Sequence, residues 1–100
     1  MEVQITQEGK VTTAALIGRL DTLAAQEIAP QMDALKEVDG TLVLDCKELS
    51  YISSSGLRIF LTLRKAAIAN GAKIIVRGIC PDIRNVFVMT GFLNLFEIED

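Results

Sequence analysis

Residues 41–65, TLVLDCKELSYISSSGLRIFLTLRK, hold a short aliphatic run, a hydroxyl-rich turn and an amphipathic helical pattern. The run Thr41–Asp45 is typical of a central parallel strand that is covered on both faces. Residues 50–57 then place three consecutive serines and Gly56 where a strand gives way to a helix. The stretch therefore predicts a strand, a turn and a helix. It also places the serines at the carboxyl edge of a sheet, where sites in open α/β folds gather.

The serines Ser53, Ser54 and Ser55 admit two interpretations. In the first they only cap the helix, because a hydroxyl accepts hydrogen bonds from the unpaired N–H groups of the first helical turn. In the second, one of them is a phosphorylation site, because a helix start also tolerates negative charge. The motif alone leaves both interpretations open.

Two strands are predicted before this stretch. Residues 2–6 alternate between polar and apolar, residues 7–10 form a turn, and residues 11–17 continue as a second strand, which predicts an antiparallel hairpin. Residues 18–22 break the pattern, and Asp21 or Thr22 can cap the element that follows.

A first helix is predicted from Leu23 to Val38, with Pro30 inside it. Because proline cannot donate the helical hydrogen bond, we expect a kink there, or a short turn followed by the main helix. The predicted apolar stripe consists of Leu23, Ile28, Met32, Leu35 and Val38.

A second helix is predicted from about Ser55 to Ala69. Its spacing places Leu57, Phe60, Leu61, Ala67 and Ile68 on the core side. The opposite face carries Arg58, Ile59, Thr62 and Lys65, a mixed surface that suits docking and is also compatible with plain solvation.

The remaining residues predict a strand at 73–76, a helix that begins at Pro81 and ends at Gly91, and a strand at 95–98. The alternation of strands and helices predicts one α/β domain over residues 1–100. We expect a four- to five-stranded mixed, mostly parallel sheet with three to four helices.

Composition excludes several classes of function. Ten basic and thirteen acidic residues give a net charge of −3, and no run of Lys or Arg indicates nucleic-acid binding. No apolar segment is long enough to insert into a membrane, and the N-terminus does not resemble a signal peptide, so we expect a cytoplasmic protein with Cys46 and Cys80 reduced. The chain has no histidine, which excludes a Ser-His-Asp triad and histidine metal ligands, and no phosphate-binding loop is present. We therefore expect neither an enzyme nor a bound cofactor.

Four segments together resemble the STAS domain family, and within it the bacterial anti-sigma factor antagonists. The resemblance covers essentially the whole chain. The four matching segments are Gly18–Asp21, Leu42–Asp45, Tyr51–Leu57, and Pro81–Phe87 followed by Thr90–Phe92.

The resemblance implies a phospho-switchable binding module. The family's phosphorylated serine, the first position of S-x-G, corresponds to Ser54, with Ser53 and Ser55 as alternatives. Ser53 stands where the family commonly has aspartate, and Arg19 stands where it often has glutamate. The unphosphorylated family member binds an anti-sigma factor that is itself a serine kinase and so frees a sigma factor, and a PP2C-type phosphatase resets the switch.

The resemblance and the outward face of the second helix together predict the partner-binding residues. These are Arg19, Asp21, Ser53, Ser55, Gly56, Arg58, Ile59, Thr62 and Lys65. The alternative function is a STAS scaffold subunit of a lipid-transport or signalling assembly that needs no phosphorylation. Weak nucleotide binding near Asp21, Asp45 and the serines is also compatible with the sequence.

Overall fold

The computed structural model describes residues 1–100 and contains six strands and three α-helices. The strands are β1 (Glu2–Glu8), β2 (Val11–Leu20), β3 (Thr41–Asp45), β4 (Leu49–Ile52), β5 (Lys73–Arg77) and β6 (Glu97–Glu99). The helices are α1 (Thr22–Asp33), α2 (Ser54–Asn70) and α3 (Pro81–Thr90), with 3₁₀ turns at Ala34–Glu37 and Phe92–Asn94. No helix combines the length and the apolar character needed to cross a membrane.

The sheet runs in the order β1-β2-β3-β5-β6, and β4 pairs separately with β2. Only β1 and β2 are antiparallel, while β2–β3, β2–β4, β3–β5 and β5–β6 are all parallel. The prediction of a mixed, mostly parallel α/β sheet is therefore confirmed. The sheet has one strand more than the expected maximum, because β4 lies within the segment that was expected to be a connection.

Strand β2 continues through Leu20, so the expected break at residues 18–22 is wrong for its first three residues. The strand continues across a register shift between Gly18 and Arg19, where it changes partner to β4. Gly18 has a φ of +111°, a conformation that L side chains rarely adopt, which is why a glycine occupies this bulge. The bulge lets one strand pair with β3 along its first half and with β4 at its end.

Helix α1 runs unbroken through Pro30 to Asp33, so the main helix does not restart after the proline. The 3₁₀ turn at Ala34–Glu37 follows, and Leu35 within it is buried. Ile28 and Met32 are also buried as predicted, but Leu23 is 64% exposed and does not belong to the core stripe.

The core joins all three helices to one face of the sheet. Phe60 of α2 lies edge-on to Phe87 of α3, with ring centroids 6.2 Å apart. On α2 the structure buries Leu63 with Phe60 and Ala67, whereas Ile68 is 62% exposed, so the prediction that Ile68 faces the core is wrong. Phe60, Leu63 and Ala67 follow spacings of three and four residues, and Ile68 lies about 80° from Phe60 around the helix.

Arg64 of α2 has a defined partner. Its Nε–H donates to the carbonyl oxygen of Leu95 at 2.8 Å. The side chain thus connects α2 to the segment between α3 and β6.

Candidate functional site

The serine turn lies where β2 and β4 end side by side. The backbone N–H of Ser53 donates to the carbonyl oxygen of Leu20 at 2.8 Å, which ties the start of α2 to the last residue of β2. Because β2 and β4 are parallel, both helices that follow them begin at the same edge of the sheet. The starts of α1 and α2 are therefore neighbours at the edge where sites in open α/β sheets gather.

Ser53 is the cap of α2. It has an extended backbone, with φ −91° and ψ 172°, and its hydroxyl oxygen accepts a hydrogen bond from the N–H of Gly56 at 3.2 Å. Its carbonyl also accepts the first helical bond, from Leu57 at 2.9 Å. The hydroxyl of Ser53 is thus engaged in holding the helix start.

Ser54 is the first residue of α2, and its side chain is exposed with no hydrogen-bond partner. Ser55 follows it and is only half-buried, on the side of the helix that faces α1. The three serines therefore differ in their environments. Ser53 caps, Ser54 presents a free hydroxyl, and Ser55 lines the space between the two helices.

Gly56 is buried against the end of β2. A Cβ atom at this position would lie 2.7 Å from Leu20 Cγ and 2.9 Å from Ile52 Cγ1. Real Cβ atoms do not approach other atoms so closely, so only glycine lets the first turn of α2 sit this near the sheet.

Asp21 caps α1 in the same way that Ser53 caps α2. Its Oδ1 accepts a hydrogen bond from the N–H of Ala24 at 2.8 Å, which confirms the predicted capping role. Asp45 ends β3, and its carboxylate accepts a bond from the N–H of Lys47 at 3.1 Å and pairs with the ammonium of Lys47 at 3.7 Å. Both acids near the turn already have partners within the chain.

Arg19 lies beside the serine turn rather than within it. Its guanidinium carbon is 4.4 Å from the centroid of the Tyr51 ring, a cation–π contact between paired positions of β2 and β4. Both side chains are exposed. The contact holds the guanidinium over the Tyr51 ring without neutralising its charge.

The outward face of α2 is mostly as predicted. Arg58, Thr62 and Lys65 are exposed, and the Thr62 hydroxyl donates to the carbonyl of Arg58 at 3.0 Å. Ile59 differs from the prediction, because it is half-buried and packs against the core. Its position one residue round the helix from Arg58 turns it toward α1.

A shallow groove of about 180 Å³ separates α1 from α2. Its apolar part includes Met32, Ile59 and Leu63, and Arg58 stands on its border. Lys36 also borders it but is paired with Asp33 at 2.9 Å. The groove joins the outward face of α2 to the neighbouring surface of α1.

Two exposed apolar side chains at this edge, Leu23 and Tyr51, were not predicted from the sequence. Leu23 is 64% exposed in the first turn of α1, and Tyr51 is 41% exposed on β4. The spacing of five residues between Leu23 and Ile28 was a usable signal, because it turns Leu23 about 140° away from the core stripe. Exposed apolar side chains beside a polar turn are typical of the centre of a docking surface.

Cys46 is fully buried just after β3, and Cys80 is half-buried at the start of α3. Burial, with smaller contributions from the charges of Asp45 and Cys80, raises the pKa of the Cys46 thiol to about 12. The Cys46 thiol is consequently a packed, protonated group and no part of the site.

Comparison with known proteins identifies a protein family that matches this chain. Residues 2–100 match the sequence model of the STAS domain. BtrV of Bordetella bronchiseptica, provisionally named an anti-sigma factor antagonist, is 30% identical over 88 residues, which cover 87% of this chain and 76% of BtrV. The anti-sigma-B factor antagonist of Staphylococcus aureus is 24% identical over 102 residues, which cover 100% of this chain and 94% of the relative.

Solved structures share the fold. The anti-sigma factor antagonist SpoIIAA in its unphosphorylated form matches with a TM-score of 0.76 and 21% identity, over 99% of this chain and 88% of that one. The phosphorylated form of SpoIIAA, described as a Bacillus cell fate determinant, matches with a TM-score of 0.74 over 97% of this chain and 90% of that one.

Proposed function

Since this chain belongs to the STAS domain family, we propose that it is an anti-sigma factor antagonist controlled by phosphorylation of Ser54. Without phosphate it binds an anti-sigma factor that has serine kinase activity, and this binding releases a sigma factor for transcription. The kinase phosphorylates Ser54 and thereby ends the complex. A PP2C-type phosphatase removes the phosphate and restores binding.

The observation that carries the proposal is the exposed hydroxyl of Ser54. A kinase needs an acceptor that is accessible and free of internal hydrogen bonds, and Ser54 meets both requirements. Ser53 accepts the N–H of Gly56, so phosphorylating it would disturb the cap. Ser55 is half-buried beside α1 and is less accessible.

The position of Ser54 also suits a phosphate. The first residues of α2 present N–H groups that have no helical partner, and the helix dipole favours negative charge there. A phosphoserine brings a charge of about −1.5 to −2 at neutral pH. The domain can therefore carry the phosphate without unfolding, and the phosphate acts by weakening the binding of the partner.

The relatives support the same class of function. BtrV and the Staphylococcus aureus protein are both named as antagonists of anti-sigma factors, and each match extends over most of both chains. SpoIIAA has been solved with and without phosphate. A regulated binding module is therefore a better match to this chain than a catalyst.

A pull-down from extract of the protein's own cells tests the proposal. Wild type and Ser54→Ala should capture a serine kinase of the anti-sigma factor class, and Ser54→Asp should capture much less. Thr6→Ala is the matched control and should behave as wild type, because it removes an exposed hydroxyl of β1, outside the predicted partner-binding residues, and adds no charge.

Incubation with the captured kinase and ATP, followed by mass spectrometry, locates the phosphate. We expect it on Ser54 and expect no incorporation into Ser54→Ala. A phosphate found mainly on Ser53 or Ser55 contradicts the assignment. Equal capture by all variants, with no phosphate, favours the scaffold subunit of a lipid-transport or signalling assembly instead.

A further inference from the structure

Strand β1 forms one edge of the sheet. It pairs with β2 alone, over all seven of its residues and in one continuous register. One row of its backbone N–H and C=O groups therefore faces outward. Every residue of the strand except Val3 is exposed, and the strand contains no proline. Such an edge is able to bind another extended chain along its whole length through backbone hydrogen bonds.

The acidic side chains at the other edge of the sheet are neutralised within the chain. Strand β6 has only three residues, and two of them are glutamates. Glu97 pairs with Lys73 of the neighbouring strand β5 at 3.2 Å. Glu99 pairs with Arg77 of the same strand at 3.3 Å. The β6 edge is therefore short, and its charges already have partners, so it offers little to a further strand.

The acidic side chains of β1 have no such partners. Glu2 lies opposite Ile17 of β2, and Glu8 lies opposite Val11. Neither carboxylate forms an ion pair with a Lys or Arg of the chain, and Glu2 only accepts a hydrogen bond from the amide of Gln4 at 2.6 Å. Because side chains alternate along a strand, both glutamates project from the same face of the sheet. The β1 edge thus carries an uncompensated negative charge near each end.

Ile5, at the centre of β1, is the apolar part of this edge. It is 41% exposed, although the residue opposite it on β2, Ala14, is fully buried. Val3 projects from the same face as Ile5 and packs against the core. A further strand beside β1 would cover the outer side of Ile5 with its own side chains, in addition to pairing with the outward backbone groups.

The charges of β1 disfavour a second copy of this chain as that strand. Antiparallel pairing of two β1 strands centred on Ile5 would place Glu2 of each copy opposite Glu8 of the other. Parallel pairing in register would place each glutamate opposite its own counterpart. Because like charges in directly opposed positions destabilise a strand pair, the acids that repel a second copy favour a strand that carries cations.

We propose that the free edge of β1 binds an extended segment of a protein partner that carries Lys or Arg at both ends of a seven-residue strand. The two cations pair with Glu2 and Glu8, and an apolar residue at the centre of the segment packs beside Ile5. The complementary charges select the partner and fix the register of the added strand. The proposed phosphorylation involves no residue of β1, so this inference goes beyond the function proposed above and does not rest on it.

A peptide probe tests the edge without the natural partner. The probe is Lys-Val-Thr-Val-Thr-Val-Lys with blocked termini, which matches the length of β1. One control peptide carries glutamate in place of both lysines, and another keeps the lysines but is N-methylated at every internal amide, which prevents strand pairing. Titration into the ¹⁵N-labelled protein at low salt should shift the backbone signals of residues 2–8 with the probe only. Physiological salt should weaken the effect, because exposed charge pairs are screened.

Charge reversal assigns the effect to the two glutamates. Glu2→Lys combined with Glu8→Lys should weaken binding of the lysine peptide by about three- to tenfold, as expected for two exposed ion pairs, and should allow the glutamate peptide to bind. Glu27→Lys combined with Glu48→Lys changes the net charge equally at exposed positions outside β1, and it should leave the preference for the lysine peptide unchanged. Thermal unfolding of each variant verifies that the fold is retained.

Three results overturn the inference: shifts that do not centre on β1, equal binding of the N-methylated peptide, or an unchanged peptide preference after charge reversal of Glu2 and Glu8. Concentration-dependent shifts of residues 2–8 in the absence of peptide would assign the edge to a second copy of the chain instead. The probe involves neither the kinase nor Ser54, so these results are separate from a failure of the proposed phosphorylation.

Discussion

Gly56 and Leu20 approach so closely that a methyl group on Gly56 would lie 2.7 Å from Leu20 Cγ. Leu20 is fully buried at the end of β2, and Ile52 closes the other side of Gly56. This contact sets the height of the first turn of α2 above the sheet, and with it the position of Ser54.

Gly56→Ala should therefore destabilise the protein. The added methyl gains up to about 1 kcal/mol of helix propensity, but overpacking of a buried contact costs about 1–3 kcal/mol. We expect a net loss of about 1–2 kcal/mol in the free energy of unfolding, measured by urea denaturation. Ser55→Ala, at the next residue, should change it by less than about 0.5 kcal/mol. If Gly56→Ala were as stable as wild type, the first turn of α2 could move away from the sheet without loss of stability.

Substitution by alanine should lower the stability of the protein at Ser53 but hardly change it at Ser54. Ser53→Ala removes the cap on Gly56 and should cost about 0.5–2 kcal/mol of stability, while Ser53→Asp should retain most of it because aspartate also caps. Ser54→Ala removes a hydroxyl without a hydrogen-bond partner and should cost less than about 0.5 kcal/mol. Equal losses for the two alanine variants, measured by thermal unfolding, would contradict the division of roles between cap and acceptor.

The periodicity of the sequence identified the elements that carry a strong pattern. β3, α2 and α3 were located to within one or two residues, because a continuous aliphatic run and helical spacing determine them. β4 was missed because it has four residues and is buried only at Leu49 and Ile52. Its pairing depends on the bulge at Gly18, a contact between distant parts of the chain that local patterns do not encode.

The site was predictable in outline and less so in detail. The serine turn and the exposed cations of α2 follow from spacing, and Asp21 was placed correctly as a cap. The half-burial of Ile59 depends on how α1 and α2 lie against each other, whereas the exposure of Leu23 was readable from its spacing. A single helical wheel assigns a face to each residue but does not show where the next helix covers it.

Ile59 is consequently a poor position for a docking test, since Ile59→Asp would place a charge against the core as well as at the surface. Arg58 and Lys65 are better positions, because their charged ends are outside the core.

Cys46 should make stability fall at alkaline pH. Its thiol has a pKa of about 12 in the folded protein against a reference value of 9.0, so between these values the unfolded chain has lost the proton while the folded chain keeps it. The contribution of this group to the free energy of unfolding is constant below pH 9. Above pH 9 it should decrease by about 1.4 kcal/mol per pH unit.

The control for this effect is Cys46→Ala, which removes the thiol and keeps every other ionisable group of the chain. We expect its unfolding free energy to be lower at pH 7, because a buried side chain is shortened, but to fall less steeply above pH 9. Parallel slopes for the two proteins in urea denaturation at several alkaline pH values would show that the Cys46 thiol ionises in the folded state as readily as in the unfolded one.

Phosphoserine at position 54 should change the surface of the domain and leave its fold intact. Incorporated directly during synthesis, it places its charge at the start of α2, where the helix dipole and nearby N–H groups contribute roughly 0.3–1 kcal/mol in its favour. Arg58 lies one turn further on and can reach the phosphate as a charge-assisted donor. We expect an unchanged or slightly higher melting temperature, with backbone shifts limited to the start of α2 and to Leu20, whose carbonyl binds Ser53.

The contribution of Arg58 can be isolated by combining phosphoserine 54 with Arg58→Gln. Loss of the guanidinium should abolish any rise in melting temperature that the phosphate causes, and it should reduce the phosphate-induced shift at residue 58. Arg84→Gln, which removes an arginine paired with Asp100, should do neither. Added salt should reduce the difference between the phosphorylated and unphosphorylated forms, because the interaction is exposed. A clear drop in melting temperature, or shifts that spread to Phe60 and Phe87 in the core, would mean that phosphorylation rearranges the domain and does not act through its surface charge.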